Sequence, residues 1–377
     1  MKKLLILICL FSLSFYSCAI RNALAPKVGL DASRTFTAQV MKGGDSAGYF
    51  NFPSTLIKTT DSLAIYLQDG KNVSLYALNK MAQEFDYCYD RMTNIYGGHS
   101  DVDGNGKIII LLMQINAEGK NGSTLAYFNP NDMYNGNYGE ILYMDIDKVN
   151  DKTDNAIGTL IHEFQHLINY SHYLNGERRA MDSWLNEALS ESTSVLFNKA
   201  TAKSRIEEFN NITNKYYCFY TWDLPNSYGF VNYPSASIFM HWLYNRNGSN
   251  SKIFKEIAQS SQPLEYMKVL TAAKECGIIS NTNTWEDLLF SWMSDMITNN
   301  KVPTVDSTNA AVKTNAESSV ILYPGMMVVS TKSATSNGNI VVKKNVKGNT
   351  NIILNKDTTL ETKTTKPTPI RVTLNGS

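Results

Sequence analysis

Residues 161–170 read IHEFQHLINY, which places His162 and His166 four apart with Glu163 directly after the first. On a helix, residues one turn apart project from the same side, so both imidazoles can grip one ion. Glu163 lies about a hundred degrees round from His162, near enough to hold a water beside that ion but poorly placed to bind it. Two imidazoles with an adjacent carboxylate suit a zinc-type cation and acid–base chemistry at once. As mere core the arrangement would be costly, because such groups are rarely buried unless paired or metal-bound.

A catalytic zinc needs a third protein ligand and an open fourth position. The stretch DSWLNEALSESTSVLF, residues 182–197, supplies candidates. Leu185, Leu189, Ser192 and Leu196 form one helical stripe, while Glu187 and Glu191 share another face. One of these carboxylates can bind the metal as the other supports it. A structural zinc would instead close its fourth position with another Cys or His. The nearest candidate, His172, stands six residues beyond His166, off the ligand face, and is expected at the surface.

The elements that must position these groups are legible as periodicities. Asp154 or Asn155 can cap the first helix, whose buried stripe is Ile157, Leu160, Ile161, Phe164, Leu167 and Ile168. Upstream, RTFTAQV alternates as a first edge strand and DSLAIYLQ reads as a further strand. LNKMAQEFDYCYDRMTNIYG is a long helix with Leu78, Met81, Phe85 and Met92 near one face, stopped by Gly97 and Gly98. NYGEILYMDID, 137–147, is another strand, so a mixed sheet precedes the histidine helix. Helical patterns dominate from about 183 to 296, and short alternating runs such as GNIVVKKNV beyond Val302 predict a small β module.

DVDGNGKIIILLMQI joins an acidic turn to an apolar strand. Asp101, Asp103, Asn105 and Gly106 imitate the start of an EF-hand loop, but position twelve is Leu112, where calcium requires a bidentate Glu, and a strand follows instead of a helix. A turn whose Asp and Gly residues satisfy their own backbone is the better account, with calcium as the minor alternative.

HEFQHLINY followed, after twenty intervening residues, by NExxxE within WLNEALSE resembles the thermolysin-like glutamate zincins, and the longer match resembles the hyicolysin-type neutral zinc metalloproteases. The resemblance spans roughly residues 100–250, with its specific motifs in 162–191. It implies His162, His166 and Glu187 as zinc ligands and Glu163 as the catalytic carboxylate. Glu191 would hold the first histidine and Asn186 steady the second. The thermolysin-like pattern has Asp where Glu191 stands, one methylene shorter. The implied fold is α+β and zincin-like: a mixed sheet, the active-site helix, a helical lower subdomain supplying Glu187, and here a C-terminal β module. The edge strand near Gly139 to Met144 would receive an extended substrate by strand addition.

The chemistry that follows is peptide hydrolysis by a zinc-activated water, with Glu163 as general base and then proton donor to the departing amine. The exopeptidase signature of zinc aminopeptidases is absent, which favours an endopeptidase. The oxyanion needs a donor besides zinc. Tyr228, Tyr233 and His241 are candidates, and Tyr233, before PSASIF, best resembles the tyrosine used in related families. The alternative function is a protease-fold surface lipoprotein acting as a binding protein or adhesin.

At 377 residues the chain is long enough for two domains. Lys and Arg total 35 against 34 Asp and Glu, so no basic field exists for a nucleic acid. Lys2, Lys3 and the apolar run Leu4–Phe15 predict a signal peptide, residues 1–17. SFYSCAI resembles a bacterial lipoprotein box, which implies acylation of Cys18 and membrane anchoring in the cell envelope outside the cytoplasm, plain secretion being the alternative. The expected organisation is a tether over 18–45, a metallopeptidase domain over 46–300 and a β domain over 301–377. Cys88, Cys218 and Cys276 then remain, without metal spacing or a disulfide framework.

Overall fold

The computed structural model describes residues 30–213, 216–222, 229–335, 339–358, 360 and 368–375. The signal peptide, Cys18 and Tyr228 lie outside the described residues. The chain divides into two compact units, one running to Tyr89 with His99–Ala156, the other comprising Asp90–Gly98 and Ile157 onward.

The first unit is built on a six-stranded mixed sheet. Its strands are β1 (Ser33–Lys42), β2 (Asp45–Thr59), β3 (Leu63–Gln68), β4 (Ile108–Met113), β5 (Ala126–Phe128) and β6 (Ile141–Asp145), in the order β1-β2-β3-β4-β6-β5. The β3–β4 and β4–β6 pairs are parallel and the others antiparallel. β1 begins inside the stretch that the sequence assigns to tether and first edge, because Phe36 and Ala38 alternate into the core. That core gathers Phe36, Phe52, Tyr66, Ile109, Leu111 and Tyr143 on one face of the sheet. The helix α1 (Leu75–Tyr96) buries Leu78, Met81, Phe85 and Met92, as its periodicity requires.

One expectation fails here. β6 is no edge: it lies between β4 and β5, and all five of its residues are buried. Its unbroken apolar run is that of an interior strand, covered on both faces. The free edge beside it is β5, whose three residues are too short and too ordinary to announce a strand.

After a short helix α2 (Ile146–Asp151), the second unit is helical and then β-rich. Its helices are α3 (Thr153–Leu174), α4 (Ser183–Phe197), α5 (Lys199–Asn210), α6 (Gly229–Arg246), α7 (Lys252–Ala258), α8 (Glu265–Glu275) and α9 (Trp285–Thr298). The six apolar residues expected along α3 are all buried. Trp184, in the first turn of α4, packs edge-on to Phe219 at 6.0 Å, and Phe219 stacks on Phe239 of α6 at 4.1 Å and meets Trp292 of α9 at 5.6 Å. Aromatic pairs of this geometry contribute roughly 0.5–1.5 kcal/mol each beyond the area they bury, and they fix α4, which carries Glu187 one turn after Trp184.

The C-terminal strands centre on a sheet in which β8 (Met327–Ser330) pairs with β10 (Thr350–Asn355) and β10 with β9 (Ile340–Lys347). The two-residue strand β7 (Tyr216–Tyr217), between α5 and α6, pairs with β8. The β module is thus stitched to the helical part by backbone as well as by side chains. Among the described residues, Cys88, Cys218 and Cys276 form no disulfide.

Candidate metal centre

α3 and α4 bring three donor atoms to one point. His162 Nε2 and His166 Nε2 are 3.1 Å apart, and Glu187 Oε2 lies 3.3 Å from the first and 3.5 Å from the second. The two rings stand edge to face, their centroids 4.7 Å apart. Glu187 Oε2 is buried without a hydrogen-bond partner. A buried carboxylate oxygen costs free energy unless a positive charge or a donor compensates it, and nitrogen lone pairs converging on that oxygen are the donor set of a zinc site. These residues therefore fit a zinc ion.

The electrostatics carry the same demand. Burial pushes the Glu187 carboxyl up, but the two imidazoles outweigh it and hold Glu187 well below the usual carboxylate range. Burial pulls His166 down, yet the nearby Glu187 carboxylate, with the Glu163 charge and Asn186 behind it, raises it to about 9. The cluster calls for added positive charge, as a proton or as a cation.

Supporting contacts orient the rings. Ser190 Oγ donates to Gln165 Oε1 at 2.6 Å and sits 3.0 Å from His166 Nδ1. Its proton being committed to Gln165, the serine can only accept from the imidazole. Nδ1 therefore carries the hydrogen, leaving the Nε2 lone pair free to bind a cation. Gln165 and Asn169 exchange amide bonds at 2.9 and 3.1 Å, and Asn169 Nδ2 donates to Asn186 Oδ1 at 2.6 Å. Asn186 is thus linked to His166 through Asn169, Gln165 and Ser190.

Glu191 is 1% exposed, and its Oε1 lies 3.6 Å from His162 Nδ1. A fork from Arg205 on α5 grips it, Nε donating to Oε2 at 2.8 Å and an NH2 group to Oε1 at 2.6 Å. Asn198 makes this geometry: it ends α4, and its side chain caps α5 by accepting from the Thr201 amide at 2.9 Å. Neither Ser190 nor Arg205 was visible as a site residue. The serine is one of several in SESTS, and the arginine is fourteen residues from its partner across a helix break.

The remaining candidates separate cleanly. Burial raises the Tyr233 phenol, and the charges of Glu187, Glu191 and Glu163 raise it further, which places the ring in the field of the site. The Arg205 guanidinium lies over that ring, 5.4 Å from its centroid. His241 is buried at 8% exposure, and burial alone lowers it to about 4, with no carboxylate acting on it. It is a core histidine. His172 is not at the surface: it is 7% exposed, its Nδ1 is 2.5 Å from Glu177 Oε2, and its ring packs on Gly97. The last turn of α3 turns inward there, which the spacing of His162 and His166 could not show.

No protein-family model matches the sequence. Over 218 residues the chain is 33% identical to the neutral metalloprotease ShpI of Staphylococcus hyicus, an alignment covering 51% of this chain and 49% of that protein. The chain thus spans about half the length of the curated relative it matches. This similarity, with a mixed sheet, helices and a cluster of His and Glu side chains suited to a metal, supports a metalloprotease.

Proposed function

We propose that the chain is a zinc-dependent endopeptidase of zincin type, with His162, His166 and Glu187 as the metal ligands. The observation that carries this reading is the convergence of two imidazole nitrogens on the orphaned, buried Oε2 of Glu187. Zinc, when bound, supplies a Lewis acid that acidifies water and polarises a scissile carbonyl near neutral pH.

The protein's own groups do the rest. Glu163, one residue round the helix from His162, takes a proton from the attacking water and returns it to the departing amine. Tyr233, kept protonated by burial and by the three carboxylates, donates a hydrogen bond to the developing oxyanion. Ser190 holds the His166 tautomer and the Glu191–Arg205 pair holds His162, so neither ligand must reorganise. Export and anchoring through Cys18 belong to the same proposal. Cys18→Ala is expected to release the protein from the membrane fraction, and continued lipid labelling of that variant would disprove the anchor.

The test is zinc content and casein cleavage of the purified protein beside Glu163→Gln. One zinc per chain in both, with cleavage only in the parent, is expected. Cleavage by the variant refutes Glu163 as the base. Zinc without cleavage in either protein favours the binding-protein reading.

A further inference from the structure

A second group of side chains, confined to the first unit, has the composition of a hard-cation site. Asp101, Asp103 and Glu140 each place a carboxylate oxygen within 4.8 Å of the others. Oxygens sharing one calcium ion at about 2.3–2.6 Å each are separated by no more than roughly 5 Å. Asp103 and Glu140 are both 1% exposed, and Asp101 is exposed.

The loop is preorganised by its own backbone. Asp101 Oδ1 accepts from the Gly106 amide at 3.1 Å, and Asp103 Oδ1 from the Asn105 amide at 3.1 Å. Asn105 itself donates to Asp103 Oδ2 at 2.7 Å. These turns aim the two aspartates and leave each oxygen a further lone pair. The third carboxylate arrives by strand register. Ile109 of β4 pairs with Ile141 of β6, and the Ile109 amide donates to the Glu140 carbonyl at 2.8 Å, which sets Glu140 beside the end of the loop. Gly139 gives clearance: a Cβ there would stand 2.9 Å from Asp103 Oδ2.

Glu140 is what turns an acidic turn into a site. Its Oε1 accepts from the Val102 amide at 2.8 Å, but its Oε2 is buried within the cluster with no hydrogen-bond partner. Burial foremost, with the charges of Asp103 and Asp101, pushes Glu140 up to about 8. Burial raises Asp103, and of the nearby cations Arg34 lowers it somewhat by its charge, but among the described residues neither the Arg34 nor the Lys107 side chain hydrogen-bonds to the cluster. Lys107 Nζ donates to the Thr60 and Asp61 carbonyls, and Arg34 donates to the Asn137 carbonyl while lying over the Phe36 ring.

We propose that Asp101, Asp103 and Glu140 bind one calcium ion, which pins the loop before β4 to the start of β6. The donors are all oxygen, which selects a hard cation over zinc, and a mostly irregular carboxylate set with an exposed side for water suits calcium better than the strict octahedron of magnesium. Leu112 occupies the twelfth position of the loop, so the sequence reads as a failed EF-hand. The missing carboxylate is supplied instead by Glu140, 28 residues further on, through parallel strand pairing.

The test uses purified protein freed of calcium by a chelator and reloaded with one equivalent of zinc. It is titrated with Ca2+ by calorimetry, beside Asp101→Asn and Glu140→Gln, with melting followed at each point. The parent is expected to take up one Ca2+ per chain and to melt at higher temperature with it. Each variant is expected to lose affinity by about tenfold or more and to lose the thermal shift, with zinc content unchanged. Asp101 is exposed, so Asp101→Asn keeps the test decisive where Glu140→Gln fails to fold. No Ca2+ uptake by the folded parent, or uptake and melting shift undiminished in Asp101→Asn, overturns the site. Magnesium binding as tight as calcium overturns the choice of ion.

Discussion

Replacing Arg205 by Met would leave the Glu191 carboxylate buried and stripped of two hydrogen bonds at 2.8 and 2.6 Å. Removing one partner of a buried ion pair costs about 3–5 kcal/mol, because the surviving charge is uncompensated. Three features put this pair at the low end. The Arg205 side chain keeps 23% exposure, so solvent screens part of its charge. It also serves Glu208, which is 44% exposed. His162 Nδ1, 3.6 Å from Oε1, can turn towards the bereft carboxylate. Arg205→Met is therefore expected to cost about 3 kcal/mol. Urea unfolding followed by tryptophan fluorescence isolates the effect, since all five tryptophans lie between residues 184 and 292, in the second unit. Adding Glu191→Met should recover most of the loss, as apolar residues of similar volume often replace a buried pair without penalty. The coupling between the two positions should then be at least roughly 2 kcal/mol. A single variant within about 1 kcal/mol of the parent, with an additive double variant, would refute the clamp.

Other outcomes follow from individual contacts. His241 has a folded pKa near 4 against an ordinary 6.5, so the unfolded chain binds its proton first as pH falls. Stability from this group is full above pH 6.5 and is lost between 6.5 and 4, by roughly 3 kcal/mol in all. His241→Gln should flatten that slope of the urea-derived free energy, and an unchanged slope would show that the ring is not buried. Gly97→Ala should destabilise by about 2 kcal/mol or more, since φ is +107° there and the new Cβ would stand 2.2 Å from His172 Nε2. A urea midpoint equal to the parent's would show that His172 does not pack there. Ser190→Ala removes the acceptor for His166 Nδ1 and should weaken zinc about 10–100-fold, read by competition with a chromophoric chelator. Unaltered affinity would mean that the tautomer is set by something else.

What the sequence made legible is what helical periodicity encodes. His162, Glu163 and His166 fall on adjacent faces of one helix, and Glu187 and Glu191 share a face of the next, so local spacing alone predicts which side chains can meet. The buried stripe of α3 is legible for the same reason, and the strands β3, β4 and β6 as short apolar runs. The groups that were not legible depend on where one element crosses another. Arg205 reaches Glu191 only because Asn198 breaks the chain between two helices, and Ser190 acts only because Gln165 has taken its proton. β5 forms because β6 offers it a partner, and its own three residues contain no strand signal strong enough to displace the apolar β6 as the expected edge.

The two candidate cation sites share one construction, which explains why one is readable in the sequence and the other stands there only as the minor alternative. In each, a short local motif presents two donors, and a carboxylate from another element completes the set: Glu187 for the histidines, Glu140 for the aspartates. In each, that last carboxylate leaves its Oε2 buried and without a partner. Glu187 comes from the next helix, within a stretch whose two acids are four apart, so its arrival could be anticipated. Glu140 comes from the strand beside β4, and register between parallel strands leaves no mark on the spacing of residues. A loop that lacks its final ligand in sequence is therefore not thereby a loop that lacks it in space. The orphaned oxygen is the feature that distinguishes the two cases, because a turn satisfied by its own backbone would have no reason to bury a carboxylate against itself.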